Sequence, residues 1–165
     1  MQVLDFEYPT DRQYLINHTP MHMWFIIEQE HVIIGFTDFF QRRIGDINDI
    51  TLREAGKSIK TSKTLGVVKA KNYSAILRSP SDVTILDVNN DVLKKPKKIN
   101  SDPYENWIMK LTIENLDSIK ENLVSADSDN LKNFLESEIK NKALQGDDCC
   151  PDLLGGSGVT RRKRK

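Results

Sequence analysis

The chain predicts a mainly β fold, a sandwich or barrel of short strands followed by two helices. Three observations carry this. Runs of β-branched and aromatic residues recur at short intervals, as at Trp24–Ile27, Val32–Ile34, Leu65–Val68 and Val83–Val88, with Gly, Pro, Asn and Asp turn residues between them. Helical spacing of apolar residues begins only later, at Ile113, Leu116, Ile119 and Leu123 and again at Leu131, Phe134, Leu135, Ile139 and Ala143. The 165 residues leave room for one core with appendages, since domains usually run to roughly 100–150 residues.

Taken in order, Trp24-Phe25-Ile26-Ile27 and Val32-Ile33-Ile34 flank the polar Glu28-Gln29-Glu30-His31, which predicts an antiparallel hairpin. Thr37 then stands as an N-cap before Asp38-Phe39-Phe40-Gln41-Arg42-Arg43-Ile44. The acid comes early and the bases late, as the helix dipole favours, and Gly45 supplies the stop. Asp46 to Leu52 reads as a strand, Ala55-Gly56-Lys57 as a turn, and Leu65-Gly66-Val67-Val68 as the start of the next strand. A hairpin follows at 69–75, then Ile76-Leu77, a Ser79-Pro80-Ser81-Asp82 turn, and a strand from Val83 to Val88 closed by Asn89-Asn90. Asp102-Pro103 turns the chain before a last strand at Trp107-Ile108-Met109-Lys110-Leu111.

Of the two amphipathic helices beyond, the second is stopped by Gly146 and places Glu136 before Lys140 and Glu138 before Lys142. Such pairs add only about 0.2–0.5 kcal/mol each, so this helix must draw its stability from docking its apolar stripe, and the expected dock is its own core.

No segment approaches the ~20 consecutive apolar residues that cross a bilayer, and Asp5, Glu7 and Asp11 give the beginning no signal-peptide character. A cytoplasmic protein with no membrane role is expected. The formal charge is zero, from 24 basic and 24 acidic residues, but Arg161, Arg162, Lys163, Arg164 and Lys165 close the chain; 24 less these five leaves 19 bases against 24 acids, a body of −5. The preceding Gly155-Gly156-Ser157-Gly158 reads as flexible. No aromatic residues interleave the basic cluster to stack on bases, so nucleic acid is not an expected partner.

Cys149 and Cys150 are the only cysteines. Neighbouring Cα atoms stand about 3.8 Å apart, short of the ordinary disulfide span, which predicts reduced thiols. A redox or metal-binding pair is the alternative, opposed by Asp147 and Asp148, which raise thiol pKa values. Two cysteines do not complete a zinc site. His18 and His22 have helical metal-ligand spacing, but Pro20 between them breaks a helix, and His22 is expected to pack beside Trp24. No phosphate loop, nucleophile elbow or paired-carboxylate pattern stands out, so the chain is not expected to be an enzyme.

Several elements, in order, are similar to those of the H protein of the glycine cleavage system. His22-Met23-Trp24 is similar to the family's HEW element, Gly35-Phe36-Thr37-Asp38-Phe39 to GITDYA, and Ile44 with Gly45-Asp46-Ile47 to its leucine and GDI. Leu52-Arg53-Glu54-Ala55-Gly56 resembles LPEVG, Val88-Asn89-Asn90 resembles VNE, Asn100-Ser101-Asp102-Pro103-Tyr104 resembles NEDPY, and Trp107-Ile108 resembles GWL. The resemblance spans roughly residues 20 to 125 and implies a barrel-sandwich hybrid of the lipoyl and biotinyl kind, with a hairpin displaying a modified lysine. It divides the chain into an N-terminal extension at 1–20, an H-protein-like domain at 21–125, a C-terminal helix at 126–146 and a flexible tail at 147–165 carrying the cysteine pair and the basic cluster.

Gly66 to Pro80 reads GVVKAKNYSAILRSP, against GVVESVKAVSDLYSP in the family, with no gap. The resemblance thus implies that the lipoyl lysine falls on Asn72 and its upstream glutamate on Lys69, while Lys71 stands one place early. A carboxamide nitrogen is no nucleophile, because its lone pair is delocalised into the carbonyl. Asn72 reads instead as a turn residue. The leading expectation is a non-catalytic, H-like protein without covalent lipoate that docks to or regulates lipoate-dependent enzymes such as glycine decarboxylase or aminomethyltransferase. The alternative is a working carrier lipoylated on Lys71, shuttling an aminomethyl group or serving a related sulfur-oxidation system; against it, a one-residue shift turns a side chain to the opposite face. A second alternative assigns the function to Cys149 and Cys150.

Overall fold

The computed structural model describes residues 1–16, 22–29, 31–72 and 74–145, with side chains as far as Lys140. It begins with a small antiparallel ladder of β1 (Gln2–Val3) and β2 (Phe6–Glu7). Next come β3 (Gln13–Leu15), β4 (Met23–Ile27) and β5 (Val32–Phe36), then helix α1 (Asp38–Ile44). β6 (Ile47–Leu52), β7 (Ser58–Ile59), β8 (Thr64–Ala70), β9 (Ser74–Arg78) and β10 (Val83–Val88) follow. Two short helices, α2 (Asn90–Lys94) and α3 (Lys97–Ser101), precede β11 (Met109–Ile113), and α4 (Asp117–Lys120), β12 (Leu123–Val124) and α5 (Asp129–Gln145) complete the described chain.

The strands form a seven-stranded sheet, ordered β12-β3-β4-β5-β11-β10-β7, and a three-stranded sheet, β6-β8-β9. Every pairing is antiparallel. This is the mainly β, barrel-sandwich architecture expected. A first core of Phe25, Ile34, Phe36, Leu65, Val68 and Leu77, among others, draws on both sheets. A second core gathers Tyr14, Trp24 and Phe39 with Leu131 and Leu135 of α5. β4 serves both, because successive side chains of a strand point to opposite faces: Met23 and Phe25 enter the first core and Trp24 the second. Trp24 lies across Gly35, its ladder partner, where a Cβ would stand 2.3 Å from the indole ring. Its Nε1–H donates to the Pro103 carbonyl at 3.1 Å.

Thr37 caps α1 as expected, its hydroxyl accepting from the Phe40 N–H at 3.2 Å, and Gly45 closes the helix at φ 83°. Both hairpins form. Three of the expected elements change. The first C-terminal helix contracts to the single turn of α4, because Ile113 ends β11 and Leu123 opens β12 opposite Leu15. Helical apolar spacing there is equally met by two strand ends around a turn, and the strand ladders claim the backbone groups. The last strand starts at Met109 rather than Trp107. The run after Val88 is not merely closed by Asn89-Asn90: the Asn89 side chain accepts from the Asp91 N–H and initiates α2.

α5 docks on the protein's own core through Leu131 and Leu135, as expected, but Ile139 of its stripe is 39% exposed. Glu138, expected to pair with Lys142 along the helix, turns inward instead.

Candidate functional site

Antiparallel pairing carries β8 and β9 to Lys69 opposite Ser74, with Lys71 and Asn72 at the hairpin end, and β6 flanks it with Ile47 opposite Ala70. The tip is fastened to the end of α1. The Lys71 N–H donates to the Asp46 carbonyl at 2.8 Å and the Asn72 N–H to the Ile44 carbonyl at 3.1 Å. The Asn72 Nδ2 donates to the Arg43 carbonyl at 3.2 Å. The last carbonyls of a helix have no partner within it and carry partial negative charge, so N–H donors from the tip satisfy them. Gly45 is needed twice here: it holds a left-handed φ, and a Cβ on it would stand 3.1 Å from the Asn72 amide nitrogen.

A side chain of α3 completes the joint. Asn100 Nδ2 donates to the Gly45 carbonyl and to Gln41 Oε1, both at 3.0 Å, and its Oδ1 accepts from the Ile47 N–H at 2.8 Å. Asn72 therefore presents a carboxamide already used as a donor. Lys71 and Lys69 are exposed, and neither ammonium has an ion pair or hydrogen bond among the described residues. The side chain at 72 does not fit covalent attachment of a lipoyl group, whereas Lys71, one residue away, holds an accessible amine.

Behind the joint lies a buried polar cluster that motif reading alone did not find. His22 does not simply sit beside Trp24: its ring lies between Phe39 and Phe134, at centroid distances of 4.7 and 5.0 Å, and its Nε2 meets Glu138 Oε1 at 3.0 Å. The same carboxylate oxygen lies 3.6 Å from Arg43 Nη1. Burial pushes the His22 pKa below the ordinary histidine value and prevails over the neighbouring carboxylate. The hydrogen bond from His22 holds Glu138 below the usual carboxylate range against its own desolvation. A carboxylate only accepts, so this geometry calls for an Nε2–H on His22 donating to Glu138, with the Arg43 guanidinium beside the same oxygen. A sequence signal existed: 138 lies seven residues beyond Leu131, on the same helical face.

Among the other predicted residues, His18, Cys149, Cys150 and the terminal basic cluster lie outside the described residues. No group of His, Cys, Asp and Glu among the described residues is placed to hold a metal ion, and no described helix is long and apolar enough to cross a membrane. A groove of about 530 Å³ lies beside Leu52, Arg53, Lys57, Ile59 and Gly66. None of residues 69–72 lines it.

The profile of the family described as Glycine cleavage H-protein matches residues 12–137. A Saccharolobus solfataricus protein named "Probable glycine cleavage system H protein 3" is 33% identical over 121 residues, covering 73% of this chain and 84% of its own length. A glycine cleavage system H protein of a Thermoanaerobacter species is 32% identical over 117 residues, covering 71% and 90%. The crystal structure of a glycine cleavage system H protein from Mycobacterium marinum superposes with a TM-score of 0.60 at 25% identity, over 72% of this chain and 92% of that one.

Proposed function

We propose, from the premise that this chain belongs to the glycine cleavage H-protein family, that it is a non-catalytic, H-like docking protein whose hairpin carries no covalent lipoate. The observation that carries this is the tip itself. Its central residue, Asn72, offers a carboxamide committed to the Arg43 carbonyl, where attachment of a lipoyl group calls for a free amine. The frame around it, from the Thr37 cap to the Asn100 joint, is intact, which supports a retained docking surface. The partners of this proposal are proteins of lipoate-dependent systems, glycine decarboxylase and aminomethyltransferase among them, in a cytoplasmic setting.

The test is the intact mass of the chain purified from a host that makes and attaches lipoate. The unmodified mass is expected; an added lipoyl group overturns the proposal.

One observation favours a second reading, lipoylation at Lys71: its amine is exposed and unpaired among the described residues, on the same tip. The chain would then act as a tether, raising the local concentration of the arm at each enzyme of the system. Lys71→Ala separates the two. If Lys71 is the acceptor, labelling by a lipoate ligase disappears in the variant, and labelling that persists excludes this site.

A further inference from the structure

Six lysines crowd the end of the molecule that bears the hairpin tip. Lys69 closes the β8–β9 ladder and Lys71 stands on the tip, while Lys94 ends α2, Lys95 follows it, and Lys97 and Lys98 open α3. All six are exposed. None of their ammonium groups is in an ion pair or hydrogen bond among the described residues. Lys60 and Lys120, elsewhere on the surface, pair with Asp82 and Asp117 at 3.5 and 3.1 Å.

The two sets are held together by one short piece of backbone. Asn100 of α3 bonds the Gly45 carbonyl and the Ile47 N–H, and the Lys71 N–H bonds the Asp46 carbonyl between them. α3 and the tip thus share the anchor at residues 45–47, and α2 and α3 both pack on β6, the neighbour of β8. This charge runs against the composition of the body, in which acids outnumber bases. Unneutralised like charges gathered at one end oppose folding and create a potential that steers a partner of opposite sign.

We propose that the lysine-rich face formed by Lys69, Lys71, Lys94, Lys95, Lys97 and Lys98 is a docking surface for an acidic face of a partner protein. It rests on the docking role proposed above. The face favours a protein over nucleic acid. Exposed Asp49 stands opposite Lys69 in the β6–β8 ladder, exposed Asp46 precedes β6 and exposed Asp91 lies on α2, so acids interrupt the basic surface that a continuous phosphate backbone would follow.

The test titrates the full, isotope-labelled chain with a decaglutamate peptide, in parallel with a short DNA duplex and with phosphatidylserine vesicles, following backbone amide signals. Decaglutamate is expected to shift the signals of residues 69–71 and 94–98, and to bind progressively more weakly as salt is raised. Combined Lys94→Glu, Lys95→Glu, Lys97→Glu and Lys98→Glu should weaken it by about tenfold or more with no fall in melting temperature. Replacing residues 161–165 by serine should leave the shifts at the tip in place. Shifts confined to 161–165, or tighter binding of the duplex or the vesicles to this face, overturn the proposal. The intact mass of the same sample reports separately on lipoate: a lipoylated chain that still binds the peptide overturns the lipoate-free reading and leaves the docking face standing.

Discussion

At the scale of single residues, Asn72 links chemistry and structure. Its backbone and side chain both donate to the end of α1, so the residue that denies the tip an amine also fastens the tip down. Asn72→Lys should exchange one property for the other. The variant, produced with a lipoate ligase, is expected to gain the mass of one lipoyl group, while losing a hydrogen bond worth about 0.5–1.5 kcal/mol. A variant that stays unmodified would move the block from residue 72 to its neighbours, where Lys69 and Lys71 make the tip basic.

At the scale of elements, the docking of α5 depends on the protonation of buried His22 and half-buried Glu138. His22 has a folded pKa below its unfolded value near 6.5, so below that pH the unfolded chain binds more protons than the folded one. Its contribution to stability is complete above about pH 6.5 and is lost as pH falls toward the lowered folded value. Glu138, lowered from 4.5, contributes above that value and loses its contribution as pH falls further, through its own lowered value. Both slopes have the same sign but occupy different ranges, so the decline expected as the solution is acidified from pH 7 to 5.5 is that of His22. Urea midpoints would measure this. His22→Gln keeps a donor for Glu138 but does not titrate, and should flatten the decline; a wild-type midpoint that does not move with pH would show that the pair does not govern docking. Glu138→Ala leaves the buried His22 donor without its acceptor and is expected to cost about 1–3 kcal/mol at pH 7.

Across the whole molecule, the larger sheet is a wall between two cores, and β4 feeds both. Damage to the second core should therefore unfold the first as well. Leu135, on the inward face of α5, is fully buried, and Leu135→Ala is expected to cost about 2–5 kcal/mol, a large part of the 5–15 kcal/mol that holds a typical domain together. Tryptophan fluorescence, from Trp24 in the second core and Trp107 packed against it, and far-ultraviolet circular dichroism should follow one transition. Separate transitions would mean that α5 unfolds independently of the sheets.

What could be read directly from the residues was local. The Thr37 cap, the Gly45 stop, the first hairpin and the β8–β9 pair follow from caps, turn residues and β-prone runs that act over a few positions, and the absence of an amine at residue 72 needs no coordinates. Only the tertiary structure decided where distant groups meet. The Asn72 amide reaches a carbonyl 29 residues away, and His22 reaches Glu138 across 116. Spacing alone could not tell that Ile113 and Leu123 end and begin strands rather than share a helix, or that Glu138 leaves the helix surface for a buried imidazole. Those outcomes depend on which neighbour supplies the missing hydrogen bond or covers the apolar face, and packing alone sets that.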